Sequence, residues 1–261
     1  MRIELITAWY NEAFLAPFFL NHYRFVDRIH ILLESTSTDD TMKICEKYSN
    51  VQVELMTSPG DQLDDIIKVD MINSIYKNLD CDWVLAPDAD EFIFPLPFGK
   101  EFRSALEKED RYKIVYSRMW QVYRHSSDKD LDPDLPSVPQ RRHGDPDTVT
   151  GGNSGYTKPI IIRAGLPIEL CTGMHSYRMS RNKYVNKICK LLNYPAVSPR
   201  FFGGVHWAHA DSKIALLRRI RSRNRQSQVN IINNFGSHNY DITEEKIKNR
   251  CDSHIDDPLL F

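Results

Sequence analysis

The stretch WVLAPDADEF, Trp83 to Phe92, ends an apolar run with three carboxylates, Asp88, Asp90 and Glu91. Crowded carboxylates repel one another and resist leaving water, so a cation is needed to make such a cluster tolerable. Two aspartates two residues apart at a strand end can both reach one divalent cation. A hard cation such as Mg²⁺ or Mn²⁺ takes oxygen ligands and fills its other positions with phosphate oxygens and water. An isolated D-x-D is equally compatible with an acidic loop that caps a helix. Here it follows a buried WVL run after three strand-helix units, which favours the metal and diphosphate chemistry.

Two other loops carry polar groups at strand ends. ESTSTDDT, Glu34 to Thr41, follows a second apolar run, where a carboxylate can accept hydrogen bonds from a nucleobase or a ribose hydroxyl. The plainer alternative is a helix cap built from its serines and threonines. WYNE, Trp9 to Glu12, follows the first apolar run. Asn11 and Glu12 there could fix a nucleotide, hold neighbouring loops or simply form a turn.

The elements that must position these groups alternate. IELITAW reads as a buried strand, and EAFLAPFFLNHYRF as a helix with Pro17 near its start, where proline is tolerated. VDRIHILLE reads as a strand, STDDTMKICEKYS as a helix, VQVELM as a strand by period-2 alternation, and DQLDDIIKVDMINSIYKNL as an amphipathic helix before DWVLAPDAD. This β-α-β-α-β-α-β order predicts an α/β fold, a mostly parallel sheet flanked by helices. Ligands of such sheets bind outside the carboxyl ends of the strands, where Asn11, Glu34, Asp88 and Asp90 fall. YKIVYSRMWQVYR, KPIIIRA and IELCTGMHSY read as further strands. The polar segment from Ser126 to Tyr156 reads as a long loop, either a functional lid or a disordered segment. From residue 180 the chain is expected to be helical.

Composition narrows the function. The 261 residues can build a large core, and 34 basic against 35 acidic residues argue against a general nucleic-acid binder. Five scattered cysteines without a C-x-x-C argue against a zinc site or a disulfide framework. The N-terminus runs straight into a strand without the apolar core of a signal peptide, and no apolar run reaches the roughly 20 residues that span a bilayer. The expectation is a cytoplasmic protein. The basic run KIALLRRIRSRNR, from Lys213, could lie on an anionic membrane, clamp a diphosphate or be a solvated face.

Taken together, TAWYNEAFLAPFFLNHYRFVDRIHILLESTSTDDT and DWVLAPDADEF resemble the GT-A glycosyltransferases of the family-2-like kind. The narrower likeness is to a subgroup with an N-E-a-x-L…H pattern, then D-x-x-S-x-D-x-T, then D-x-D-E-F. Trp120 in MWQVYRHS, Lys158 to Arg163 in KPIIIR, His175 in GMHSY and His206 in GGVHWAHADS extend the match in order. Glu34 stands where that subgroup has aspartate. The resemblance implies a GT-A (Rossmann-like) domain over residues 1–179 with a helical C-terminal extension over 180–261. It implies metal-assisted, inverting transfer of a sugar from a nucleotide-diphosphate donor, with a UDP-sugar favoured, to a hydroxyl of a glycan or lipid-linked acceptor. Asp88, Asp90 and His175, with His206 as second choice for the histidine, would hold Mn²⁺ or Mg²⁺. Asn11, Glu34, Asp88, Lys158 and His206 would face the donor.

An inverting transferase needs a base for the acceptor proton, and carboxylates commonly fill that role. Asp145, Asp147 and Glu169 compete for it. A nucleotidyltransferase is a weaker fit, because TAWYNEAF lacks the Gly-rich basic loop that class carries after its first strand. A non-catalytic sugar- or partner-binding relative is the other alternative, and retention of both D-x-D aspartates and His175 counts against it. The D-x-D of haloacid dehalogenases follows the first strand and does not match.

Overall fold

The computed structural model describes residues 1–59, 64–108, 111–125, 127–146, 158–192, 194–195, 197–215 and 217. Its first half follows the expected alternation: β1 (Ile3–Trp9), α1 (Ala16–His22), β2 (Arg28–Glu34), α2 (Thr41–Cys45), β3 (Val51–Met56), α3 (Asp65–Asn78) and β4 (Trp83–Leu85). Then come β5 (Glu91–Pro95), α4 (Phe102–Glu107), β6 (Ile114–Tyr123), β7 (His143–Pro146) and β8 (Ile161–Arg163). A short pair, β9 (Glu169–Leu170) and β10 (Tyr177–Arg178), precedes α5 (Lys183–Leu191) and the long β11 (Val197–His209).

The main sheet runs β3-β2-β1-β4-β8-β6-β11-β5, with β7 added against β6. Its first four strands are parallel, as the expected α/β class requires. From β8 onward the sheet is mixed: β8 is antiparallel to both neighbours, β11 is parallel to β6, and β5 is antiparallel to β11. Every residue of β1 is buried, as befits a strand with parallel neighbours on both edges and packed faces. Successive residues alternate between faces. Ile3, Leu5 and Trp9 therefore join the apolar cluster that also holds α1, while Ile6 and Ala8 join the one beneath α3.

α3 is well specified by its sequence. Asp64 caps it, its carboxylate accepting from the amides of Ile66 and Ile67 at 2.7 and 3.1 Å. Its inward stripe is Lys68, Val69, Ile72, Asn73 and Tyr76, which recurs at helical spacing.

Two expectations are corrected. Residues after 180 are not uniformly helical: α5 is a helix, but Val197–His209 is a strand inserted between β6 and β5. Phe202, Val205 and Trp207 fill the core, and Gly204 gives the room, since a Cβ there would lie 2.4 Å from Met119 Sδ and 2.7 Å from Ile93 Cδ1. The D-x-D-E-F motif runs directly into β5, whose residues EFIFP are all buried. Within the expected long loop, residues 143–146 form β7, and Ser126 and 147–157 lie outside the described residues.

Candidate active site

The carboxyl ends of β1, β2 and β4 share one edge of the sheet because the three strands are parallel. Asn11, Glu34 and Asp88 are therefore brought to that edge, as expected. What each does there differs.

Asn11 has a left-handed backbone, φ 53°, a conformation that asparagine tolerates better than most residues. Its side-chain oxygen accepts from the amides of Thr38 and Asp39 at 2.8 and 3.3 Å. Asn11 thus ties the loop after β1 to the loop after β2. Glu34 is fully buried. Its carboxylate accepts from the Ser58 hydroxyl at 2.6 Å, the Ser58 amide at 3.3 Å and the Ser35 hydroxyl at 3.3 Å. Ser58 Oγ in turn accepts from the Asp64 amide at 3.0 Å, so Glu34 braces the entry to α3. Both residues hold loops in this structure.

The D-x-D turn is charged throughout. Lys68 Nζ lies 2.8 Å from Asp88 Oδ1, and Lys158 Nζ lies 2.5 Å from Asp88 Oδ2 and 2.8 Å from Glu91 Oε1. Glu91 Oε2 accepts from the Asp88 amide at 2.8 Å, which closes the turn. Lys68, Lys158 and Glu91 are buried and Asp88 is partly open to solvent. Burial alone would raise the Asp88 carboxyl, but the two ammonium groups overcome it and hold the carboxyl well below the usual carboxylate range. Burial alone would lower Lys158, and the Asp88 and Glu91 carboxylates instead keep its ammonium protonated beyond the ordinary lysine range.

Asp90 has a different neighbour. His206 Nε2 stands 3.5 Å from its Oδ2, and both residues are buried. His206 Nδ1 is 2.8 Å from Gln121 Oε1, while Gln121 Nε2 donates to the His206 carbonyl at 3.2 Å. That second bond orients the Gln121 amide, so its oxygen must accept from Nδ1–H. In the neutral ring, Nε2 then presents a lone pair toward a carboxylate oxygen. The chemistry of the pair therefore fits a divalent ion, with Nε2 and a carboxylate as suitable ligands. Among the described residues, no group of three or more His, Cys, Asp and Glu side chains is placed to hold a metal on its own.

The strand register links this pair to a candidate base. Glu91 pairs with His206, His206 with Gln121, and Gln121 with Asp145, which makes one row across β5, β11, β6 and β7. Gly144 allows the last step, since a Cβ there would fall 2.2 Å from the Gln121 carbonyl oxygen. At about 4.8 Å per strand, the Asp145 backbone lies roughly 10 Å from that of His206.

The remaining expected residues are placed as follows. His175 sits exposed between β9 and β10. Glu169 is in β9, bonded to Lys77 at 3.1 Å and to Arg178 at 2.9 Å. Lys77 lies nine residues beyond Lys68 on α3, which is about 13 Å along the helix axis. Glu169 is thus at the opposite end of α3 from Asp88, too far to share its chemistry. Asp147 lies outside the described residues, as does most of the basic run beyond Lys213.

Lys68 is the site residue that sequence reasoning missed. Its signal was present: Lys68, Ile72 and Tyr76 recur every four residues, which puts a lysine on the apolar stripe of α3. A cation there needs a buried anion, and the aspartates of the next strand end are the nearest supply.

No family model matches the chain, and no curated protein matches it in sequence. Among solved structures it is similar to S. aureus TarS 1-349 in complex with UDP-GlcNAc, with 18% identity, a TM-score of 0.46, and coverage of 94% of this chain and 77% of that one. It is also similar to glucosyl-3-phosphoglycerate synthase from Mycobacterium tuberculosis in complex with Mg²⁺ and UDP, with 15% identity, a TM-score of 0.40, and coverage of 78% and 71%. A third is 4-diphosphocytidyl-2C-methyl-D-erythritol synthase from Anaerococcus prevotii, with 16% identity, a TM-score of 0.32, and coverage of 51% and 61%. The chain spans 66% of another TarS 1-349 structure and 44% of a longer TarS structure. What the site can do follows from its own residues.

Proposed function

We propose that this chain is a metal-assisted, inverting glycosyltransferase that moves a sugar from a nucleotide-diphosphate donor to a hydroxyl of a glycan or lipid-linked acceptor. The observation that carries it is the convergence of two buried lysines, Lys68 and Lys158, on a D-x-D turn at the carboxyl edge of parallel strands. Ligands of α/β sheets bind at that edge.

The charge balance supports an anionic ligand held with a cation. Lys68 and Lys158 pair with Asp88 and Glu91, and Asp90 stands beside His206. One divalent cation there makes the site net positive, which suits a diphosphate. Asp90 and His206 are the residues that would hold it. When bound, such an ion acts as a Lewis acid toward the charge that gathers on a departing diphosphate. The two lysines, one on α3 and one just before β8, supply fixed positive charge beside the turn, already oriented before reaction. Asp88 holds both ammonium groups in place, and Glu91 also pairs with Lys158. Asn11 and Glu34 hold the loops over β1 and β2, where the nucleoside would lie. Of the base candidates, Asp145 suits the task best by position, since it shares the His206 row. A base must come within hydrogen-bond reach of the acceptor hydroxyl. His175 would then serve outside the metal site, and a UDP-sugar remains the first donor to try.

A thermal-shift panel of nucleoside diphosphates with and without Mn²⁺ tests this. A ligand at a hundred times its Kd stabilises the folded chain by about 2.7 kcal/mol. At least one nucleoside diphosphate is expected to raise the melting temperature, and more so with Mn²⁺. No shift with any nucleotide would overturn the proposal.

A further inference from the structure

α5 differs from the other helices in that none of its residues is buried. Tyr184, Val185, Ile188 and Leu191, with Leu192 just beyond, are all exposed, by 42 to 76% of their surfaces. At about 100° per residue, these side chains fall on one face spanning roughly a third of the helix circumference. Lys183, Lys187 and Lys190 fall together on an adjacent face, and Arg181 precedes the helix. No acidic residue lies between Arg181 and Leu192. The side toward the body is the narrow polar strip around Asn186. Its side chain accepts from the Met179 amide at 2.7 Å and bonds the Ser180 carbonyl. Asn186, Cys189 and Lys190 also line a cavity of about 220 Å³ with Tyr177, Met179 and Tyr194, so the contact with the body is loose.

From this arrangement we infer that α5 is a docking surface for an anionic lipid bilayer. The chemistry commits to that partner. An apolar face flanked by lysines and free of acids is the pattern of a helix that lies in the membrane interface, apolar side down, with its cations among the headgroups. Nine residues are far too few to cross a bilayer, and no helix among the described residues is long and apolar enough to do so. The surface acts by lying on the membrane. It is separate from the D-x-D turn, and it does not depend on the proposed transfer reaction. If the acceptor is lipid-linked, α5 would bring the site to the surface that holds it.

Co-sedimentation of the full chain with vesicles tests this, comparing phosphatidylcholine alone with phosphatidylcholine containing phosphatidylglycerol. Binding to the anionic vesicles is expected, weakening with salt because the electrostatic attraction is screened. Replacing Lys183, Lys187 and Lys190 together with glutamine should cut the partition at least about tenfold. The pair Ile188→Glu and Leu191→Glu should do the same. These side chains are exposed, so the variants keep their fold, and unchanged circular dichroism and urea unfolding would verify it. Absence of binding to anionic vesicles, or binding unchanged in both variants, would overturn the inference. So would a wild-type dimer in size-exclusion chromatography that the glutamates dissociate, since a second copy would then cover the face.

Discussion

α3 contributes a lysine to two ion-pair clusters, one near each end, and the contrast between them is instructive. At the N-terminal end, Lys68 meets Asp88, which also pairs with Lys158, itself bonded to Glu91, and the lysines and Glu91 are at most 6% exposed. At the C-terminal end, Lys77 meets Glu169, which also pairs with Arg178 and Arg181, and the three basic side chains are 40 to 80% exposed. Residue types and distances are alike. Burial separates them. An exposed pair gains little, because water screens it and competes for the same groups. A buried cluster has already given up its hydration, so each member depends on its partners. A cluster of that kind is weak evidence for stability as such. Its position, at the edge of a parallel sheet, is what makes it a candidate for binding.

The largest expected effect is on the buried side. Lys158→Met removes the ammonium that Asp88 and Glu91 share, and leaves Glu91 buried beside an apolar side chain. Breaking a buried pair by removing one partner typically costs about 3–5 kcal/mol. Urea unfolding should show a loss in that range, together with loss of the nucleotide-dependent thermal shift. A loss below about 1 kcal/mol would make the two clusters equivalent and erase the contrast.

Next is the pH dependence of the same cluster, read as the stability difference between wild type and Asp88→Asn. The Asp88 carboxyl is held well below its ordinary value by Lys158 and Lys68 against the opposing effect of burial. A depressed carboxylate contributes stability that is fully present above its unfolded pKa, about 3.9, and is lost as pH falls through the folded value. The difference should be flat from about pH 5 to 8 and shrink below about pH 4. Lys158 is shifted the other way, upward. Its contribution should be fully present below the unfolded lysine value, about 10.4, and fade only as pH rises past it. Urea titrations across pH would show the plateau, and a slope near neutrality would remove Asp88 as its source.

Within the D-x-D, Asp88 and Asp90 make a second contrast, lysines on one side and a histidine on the other. Loss of a metal-site group commonly costs about 10- to 100-fold in metal affinity or activity. His206→Ala and Asp90→Asn should each weaken the Mn²⁺ response of nucleotide binding by that order, and His175→Ala should leave it unchanged. Calorimetric titration of UDP at fixed Mn²⁺ would decide between the two histidines. A selective loss in His175→Ala would restore it as the ligand.

Much of this was legible in the sequence, and the limits have physical reasons. The strand-helix alternation through Leu85 was readable because buried parallel strands are continuous apolar runs and α3 carries a cap and a regular stripe. The D-x-D was legible because its carboxylates interrupt such a run. β11 was not, since FFGGVHW has two glycines that weaken a strand by local preference, and only the close approach of Phe94, Leu96 and Trp120 to Gly203 and of Met119 and Ile93 to Gly204 explains them. The neighbourhood of His206 and Asp90 could not be read from spacing. It depends on β11 pairing with both β5 and β6, which sets His206 against Asp90 and Gln121. Lys68 was overlooked because lysine on a helix is usually a solvated face, and its burial depends on an anion twenty residues away.

The smallest expected effect lies on the exposed side of the opening comparison. Glu169→Gln keeps the shape of the side chain and removes its charge. Lys77 and Arg178 hold the Glu169 carboxyl below its ordinary range, chiefly by hydrogen bonding. Both basic groups face water, so on losing their partner they are resolvated at little cost. Exposed pairs measure about 0.2–1 kcal/mol, and the change in stability should fall within that range. Glu169 also lies about 13 Å along α3 from the Lys68 level, so donor turnover should be unaltered. Parallel urea unfolding and donor-hydrolysis assays would measure both. If turnover falls by orders of magnitude while stability holds, Glu169 takes part in the reaction after all. The buried cluster would then be the structural one of the two.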